Sequence, residues 1–197
     1  PYWNDIQVSQ AWMEDVRETN PTISLLALGQ PDGQAHSGNW SGYTRAIARC
    51  DSIVFAVWNW IQATPGWAGR TTLFITNDHG RHPDPGWQDH GDDCSGCRHL
   101  GFLALGPDFA QNVETWEPAG DQRDIAVTAA ELLGVSMPHA TGRVLWELFS
   151  TVAGGVGPES DTGAIPRRDL RLVVEPNPAY GAIRVRMPAR SLEGGWW

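Results

Sequence analysis

LLALGQPDGQAHSGNWSGYTRAIARCDSIV, residues 25–54, is the stretch from which the fold is read. It opens inside the apolar run ISLLALG (23–29), which follows the Asn20-Pro21 break and reads as a buried strand. It closes inside a helix. From Trp40 to Ile61 the apolar residues Tyr43, Ile47, Val54, Trp58 and Ile61 recur at helical spacing, and Pro65-Gly66 ends the run. TTLFIT (71–76), β-branched and aromatic-rich, reads as the next strand, and HLGFLALG (99–106) as a third. Strand, long helix, strand is the βαβ pattern, so the expected class is α/β: an open, mostly parallel sheet with flanking helices.

Working outward, QVSQAWMEDVRE (7–18) reads as an amphipathic helix before that core. RDIAVTAAELLGV (123–135) reads as another, with Asp124 at its start and Gly134 at its end. One main domain is expected over 1–150, closing near Phe149. TVAGGVGPESDTGAIPRRD (151–169) has the Gly, Pro and polar content of a linker. Residues 170–197 read as two short alternating strands around PNPAYG, the start of a β-rich module cut short at Trp197.

The charge is -9, from 23 acidic residues against 14 basic ones, and every basic residue is Arg. Such a surface disfavours a nucleic-acid groove, because phosphate contacts need clustered positive charge. It allows a small anionic substrate where bound divalent cations reverse the local potential. No apolar run reaches the ~20 residues needed to span a bilayer. PYWNDIQVSQ lacks both an initiator Met and a signal-peptide pattern, and is expected to begin a processed or truncated chain. Of the 11 Trp, Trp40, Trp58 and Trp60 fall on the long helix, where packing rather than carbohydrate binding is the expected role.

Ligands of open α/β sheets bind outside the carboxyl ends of the strands. Two acid-histidine clusters are expected there. Residues 23–29 run into Gln30-Pro31-Asp32-Gly33-Gln34-Ala35-His36, and residues 71–76 run into Asn77-Asp78-His79-Gly80. A single Asp-His pair is more often a cap or a loop hydrogen bond, but two at equivalent strand ends favour metal. Carboxylate oxygen with imidazole nitrogen suits Zn²⁺, with Mn²⁺ as the alternative, and Gly33, Gly38 and Gly80 suit tight loops. Arg81 and Arg98 are candidate holders of an anionic group beside ordinary surface roles.

These segments resemble the alkaline phosphatase superfamily of nucleotide pyrophosphatases/phosphodiesterases, phosphatases, sulfatases and cofactor-independent phosphoglycerate mutases. LLALGQPDGQAHSGNWSGYTRAIARCDSIV resembles its strand, Asp-x-x-x-His loop and helix; TTLFITNDHG resembles its strand with Asp-His-Gly. HGDDCSGCRHLGFLALGPDF resembles its third-His loop and strand, and RDIAVTAAELLGV the helix that follows, so that residues 20–149 are covered. The resemblance implies Asp32, His36 and a later His as ligands of one divalent metal ion, and Asp78 and His79 as ligands of a second. His90 is the favoured later ligand and His99 the alternative; His82 and His139 are expected in loops or on the surface.

Such a two-metal site implies in-line displacement at phosphorus in a small anionic ester. The leading expectation is a phosphate-ester hydrolase, a phosphatase or phosphodiesterase. A sulfatase or a phosphomutase of the same superfamily is the alternative, and a noncatalytic metal-binding or cell-surface interaction domain is the alternative from another class. The family's Thr or Ser nucleophile and one further Asp ligand lie upstream of the Asp-x-x-x-His segment. Ser9, Thr19, Thr22 and Ser24 do not sit in that setting, so the nucleophile is expected outside this chain.

His90-x-x-x-Cys94-x-x-Cys97-x-His99 admits a small structural zinc site, a disulfide or two free thiols. VVEPNPAYGAIRV resembles the opening of C-terminal sorting and Ig-like modules of secreted bacterial enzymes. That likeness implies a periplasmic, cell-surface or secreted destination and secretion machinery as a partner.

Overall fold

Local sequence chemistry accounts for where most of the helices start and stop. The computed structural model describes residues 4–83, 85–115, 119–150, 173–176 and 183–186. The linker read over 151–169 and most of the PNPAYG turn lie outside the described residues. The chain divides into two units: Pro1–Gln34 with Asn39–Ile53 and Asp169–Trp197, and Ala35–Gly38 with Val54–Arg168.

In the first unit, α1 (Asp5–Thr19) is capped by the Asn4 side chain, which accepts a hydrogen bond from Ile6 N, and ends at Asn20 in the left-handed region. This is the helix expected over 7–18. The next segment departs from expectation. Residues 23–29 pair with no strand among the described residues, and Ile23 and Leu25 are 39% and 67% exposed. An apolar run alone does not make a strand; ladder partners do. The segment read as a loop after it is a short helix, α2 (Gln30–His36). Pro31 fits because it stands in the first turn, where its missing N–H costs no helical hydrogen bond. The Asp5 carboxylate accepts hydrogen bonds from Gly29 N (3.0 Å) and Gln30 N (3.1 Å), so α1 supplies the cap that α2 lacks in its own sequence.

Helix α3 (Trp40–Ala63) starts where the Asn39 side chain accepts from Gly42 N, and it continues into the second unit. Its buried stripe is Ala46, Ile53, Val57 and Ile61, whereas Ile47 is 46% exposed. The expected stripe shared only Ile61 with this one. Adjacent faces of α3 are both apolar, so periodicity locates the helix better than it locates the buried face. Trp40 is exposed beside Tyr43, while Trp60 packs edge-on against Trp67 with ring centroids 5.0 Å apart. Toward the end of the chain, strands β3 (Val173–Pro176) and β4 (Ile183–Arg186) pair antiparallel.

In the second unit, β1 (Leu73–Thr76) pairs antiparallel with β2 (Phe102–Leu105), in the register Leu73 with Leu105 through Thr76 with Phe102. A parallel relation was expected between 23–29 and 71–76; no ladder joins them among the described residues. Phe74 contacts Phe102 and Phe109, and Phe109 contacts Phe149, at centroid distances of 5.1, 5.6 and 4.9 Å. Helix α4 (Gln122–Leu133) has a full capping box between Asp121 and Asp124 and ends on Gly134 in the left-handed region. Buried Asp124 also accepts from Arg143 N (2.7 Å), and fully buried Thr128 accepts from Leu145 N (3.0 Å). Residues 143–150 are thereby tied to α4, and Phe149 bridges back to Phe109, where the domain was expected to close.

Candidate metal centre

The carboxyl end of β1 is finished by one amide. Asn77 Nδ2 donates to the carbonyls of His79 (2.9 Å) and His99 (3.0 Å), and its Oδ1 accepts from Gly101 N (2.7 Å). This clasp extends the β1–β2 pairing past the last ladder residues and sets the backbone of Asp78 and His79. Gly80 N donates to Cys97 O (2.8 Å), and the Gly96 carbonyl packs against Gly80 so closely that a Cβ there would collide with it. From α4, the Gln122 side chain donates to the Asp78 carbonyl.

Three histidines converge at this end. His36 Nε2 and His90 Nε2 are 3.1 Å apart, and the His79 ring stacks on His90 with centroids 3.6 Å apart and planes 18° from parallel. His79 Nδ1 lies 2.9 Å from the Gly80 carbonyl, an arrangement that requires the proton on Nδ1 and places the lone pair on Nε2. His36 Nδ1 lies 3.4 Å from Asp89 Oδ1, which favours the same tautomer. At 3.1 Å the two Nε2 atoms either share a proton in a hydrogen bond or hold a cation between them. Adjacent imidazole ligands on a tetrahedral zinc ion stand about 3.3–3.4 Å apart, given Zn–N bonds of about 2.0–2.1 Å. The donor chemistry and the separation therefore fit a divalent metal ion, and an imidazole site with carboxylate neighbours accepts Zn²⁺ or Mn²⁺.

Of the residues singled out from the sequence, the structure brings His36, His79 and His90 together. Asp32 stands one helical turn before His36 on α2, so the helix carries both on one face. Asp78 is peripheral to the ring cluster. Its side chain is 87% exposed, with Oδ2 3.7 Å from His79 Nε2 and Oδ1 accepting from His79 N. His99 meets Asn77 through its backbone carbonyl. His139 is exposed, as expected, and Arg81 donates to the Gln88 carbonyl within its own loop.

His82, expected to be an ordinary loop residue, sits instead with Asp92, Cys94 and Cys97. The Cys pair was read with His90 and His99; the fold gives it His82 and Asp92. The hydrogen bond from Cys94 N holds the Asp92 carboxyl below the usual carboxylate range, and burial pushes the Cys97 thiol up. The orienting residues Asn77 and Asp89 carried no sequence signal beyond polarity in a His-rich loop, and Gln122 none beyond polarity at a helix start.

An imidazole cluster clasped to a strand end makes this a candidate divalent-metal centre. The chain is similar to proteins of one kind. The 2,3-bisphosphoglycerate-independent phosphoglycerate mutase of Haloquadratum walsbyi is 26% identical over 148 residues, 75% of this chain and 28% of the mutase. That of Haloarcula marismortui is 26% identical over 142 residues, 72% of this chain and 26% of the mutase. A third, from the alga Gracilaria tenuistipitata var. liui, is 23% identical over 143 residues, 71% of this chain and 26% of the mutase. These distant relatives are members of the alkaline phosphatase superfamily, and the chain spans about a quarter of their length. No protein-family profile and no solved structure matches the chain.

Proposed function

We propose that this chain is the metal-binding part of a phosphoryl-transfer enzyme of the alkaline phosphatase superfamily, of phosphomutase rather than hydrolase type. The single structural observation that carries the reading is the 3.1 Å approach of His36 Nε2 to His90 Nε2 beside the stacked His79 ring. The similarity to phosphoglycerate mutases moves the preference from ester hydrolysis, the leading expectation, to the mutase alternative. In this reading residues 1–150 are part of an alkaline-phosphatase-like domain with an open, mostly parallel sheet. An extracytoplasmic destination rests on the VVEPNPAYG segment alone.

Within the second unit His36 and His90 would hold one divalent ion, and Asp78 and His79 a second; Asp32 is a ligand on the motif resemblance alone. Bound there, the metal ions would supply positive charge for the oxygens of an in-line transfer. The chain's own groups do the positioning. Asp89 and the Gly80 carbonyl keep His36 and His79 in the tautomer with Nε2 basic, and Asn77 fixes the backbone that carries Asp78 and His79. No residue of this chain is assigned as the nucleophile.

Phosphorus NMR on the full-length protein with 3-phosphoglycerate and Mn²⁺ or Zn²⁺ tests the proposal. Conversion to 2-phosphoglycerate without phosphate release is expected, together with its loss in His36→Ala and His90→Ala. Free phosphate as the main product would restore the hydrolase reading. Metal binding without turnover of either kind would overturn the enzyme assignment.

A further inference from the structure

We propose that His82, Asp92, Cys94 and Cys97 form a structural zinc site, distinct from the His36, His79 and His90 cluster. One donor atom from each of the four lies within 4.8 Å of all the others. Cys97 Sγ is 3.5 Å from His82 Nδ1, and His82 Nδ1 is 3.7 Å from Asp92 Oδ1. With Zn–S near 2.3 Å and Zn–N near 2.0–2.1 Å, a tetrahedral site places sulfur and nitrogen ligands about 3.5 Å apart and two sulfurs about 3.7 Å apart. The sulfur-to-nitrogen edge is already at that length. The Cys94 and Cys97 sulfurs, at 2.6 Å, would separate by about 1 Å around the ion.

The backbone orients two of the donors. Cys97 N donates to Cys94 Sγ (3.0 Å), which orients that sulfur, and Cys94 N donates to Asp92 Oδ1 (2.8 Å), which orients the carboxylate. Gly96, inside the Cys-Ser-Gly-Cys turn, packs on the Arg81 carbonyl so closely that no Cβ fits, and this brings the turn onto the segment carrying His82. Cys97 is only 6% exposed, so a thiolate there needs a cation beside it. Two sulfurs with one imidazole select zinc over magnesium, calcium or manganese, and four protein ligands make a closed site, structural rather than catalytic.

The position gives the clip its use. It ties residue 82 to residues 92–97 and so closes the loop that presents His90, while His82 itself lies three residues after His79. A zinc ion here would fix both feet of the segment that carries two histidines of the other centre.

Metal analysis of the full chain, purified under reducing conditions and then loaded with Zn²⁺ or Co²⁺, tests the assignment. The reduced wild type is expected to bind Co²⁺ with the near-ultraviolet thiolate-to-cobalt charge-transfer band. Cys94→Ser and Cys97→Ser should each lose that band and one equivalent of zinc. Cys50→Ser should keep both, and His36→Ala should lose a different equivalent with the band intact. Because a cysteine variant can fail to fold, zinc K-edge absorption on the wild type gives the second reading, with sulfur scatterers near 2.3 Å expected. Absence of both the band and the sulfur scatterers in reduced protein, or a Cys94–Cys97 disulfide whose reduction creates no zinc site, would overturn it.

Discussion

The Asp5 carboxylate, 2% exposed at the start of α1, accepts a hydrogen bond from Gln30 N at 3.1 Å, and so caps α2 from 25 residues away in the chain. It also accepts from Gly29 N, while Arg49 reaches the Gln30 side chain that receives Asp5 N. Helix α2 starts beside Asp32, so the pose of that candidate ligand depends on a carboxylate that belongs to another helix. Removing it leaves two backbone N–H groups without that acceptor. Asp5→Ala is expected to destabilise the protein by about 1–3 kcal/mol in urea unfolding. A change within about 0.5 kcal/mol of wild type, the range of ordinary surface substitutions, would show that water replaces the cap.

Asp89 faces His36 Nδ1 at 3.4 Å, and its use is to keep Nε2 basic. Asp89→Ala is therefore expected to weaken Mn²⁺ binding by about 10–100-fold, the usual effect of losing a carboxylate behind a histidine ligand. His36→Ala should abolish binding at that position. Titration calorimetry with Mn²⁺, which sulfur ligands do not favour, reads this centre without the cysteine cluster. Equal affinities for wild type and Asp89→Ala would remove Asp89 from the site.

Asn77 joins His79, His99 and Gly101 through three hydrogen bonds at the end of the β1–β2 ladder. Its side chain is exposed, so water compensates part of the loss. Asn77→Ala is expected to cost about 1 kcal/mol. The sharper readout is amide exchange: Gly101 N should exchange faster while the ladder amides of β1 keep their protection. Unchanged exchange at Gly101 would mean the clasp does not persist in solution.

Arg143 and Glu147 form a two-pronged ion pair at 2.7 and 2.9 Å, and the Arg143 guanidinium holds the Glu147 carboxyl below its usual value. A carboxyl with a depressed folded pKa adds stability above its unfolded pKa of about 4.3 and loses it as pH falls through the folded value. Glu147→Gln should therefore lower Tm at pH 7, by no more than the ~1 kcal/mol of a partly exposed pair. The gap from wild type should close below about pH 4. A gap that persists at pH 3 in thermal melts would assign the effect to packing.

Much of the helical structure was legible because its causes are local. Asn20-Pro21, Pro65-Gly66 and the Asp124–Gly134 pattern punctuate α1, α3 and α4 within a few residues of where the backbone turns. The true cap of α4, Asp121, lay just before the stretch read as helix, and the buried face of α3 was offset because both of its faces are apolar. Helix α2 was hidden: its composition, with Pro31 and Gly33, is that of a loop, and its cap comes from Asp5.

By itself the sequence determined the residue types of a candidate metal centre and the strand end at which Asp78 and His79 stand, because strand propensity and donor chemistry are written locally. Only the tertiary structure decided which donors meet. His36 and His90 are 54 residues apart and touch at 3.1 Å, and Cys94 and Cys97 take His82 and Asp92 rather than His90 and His99. Those choices follow from the direction in which β1 and β2 pair, the Asn77 clasp, and the lack of a Cβ at Gly80 and Gly96, none of which is a property of any short stretch of chain.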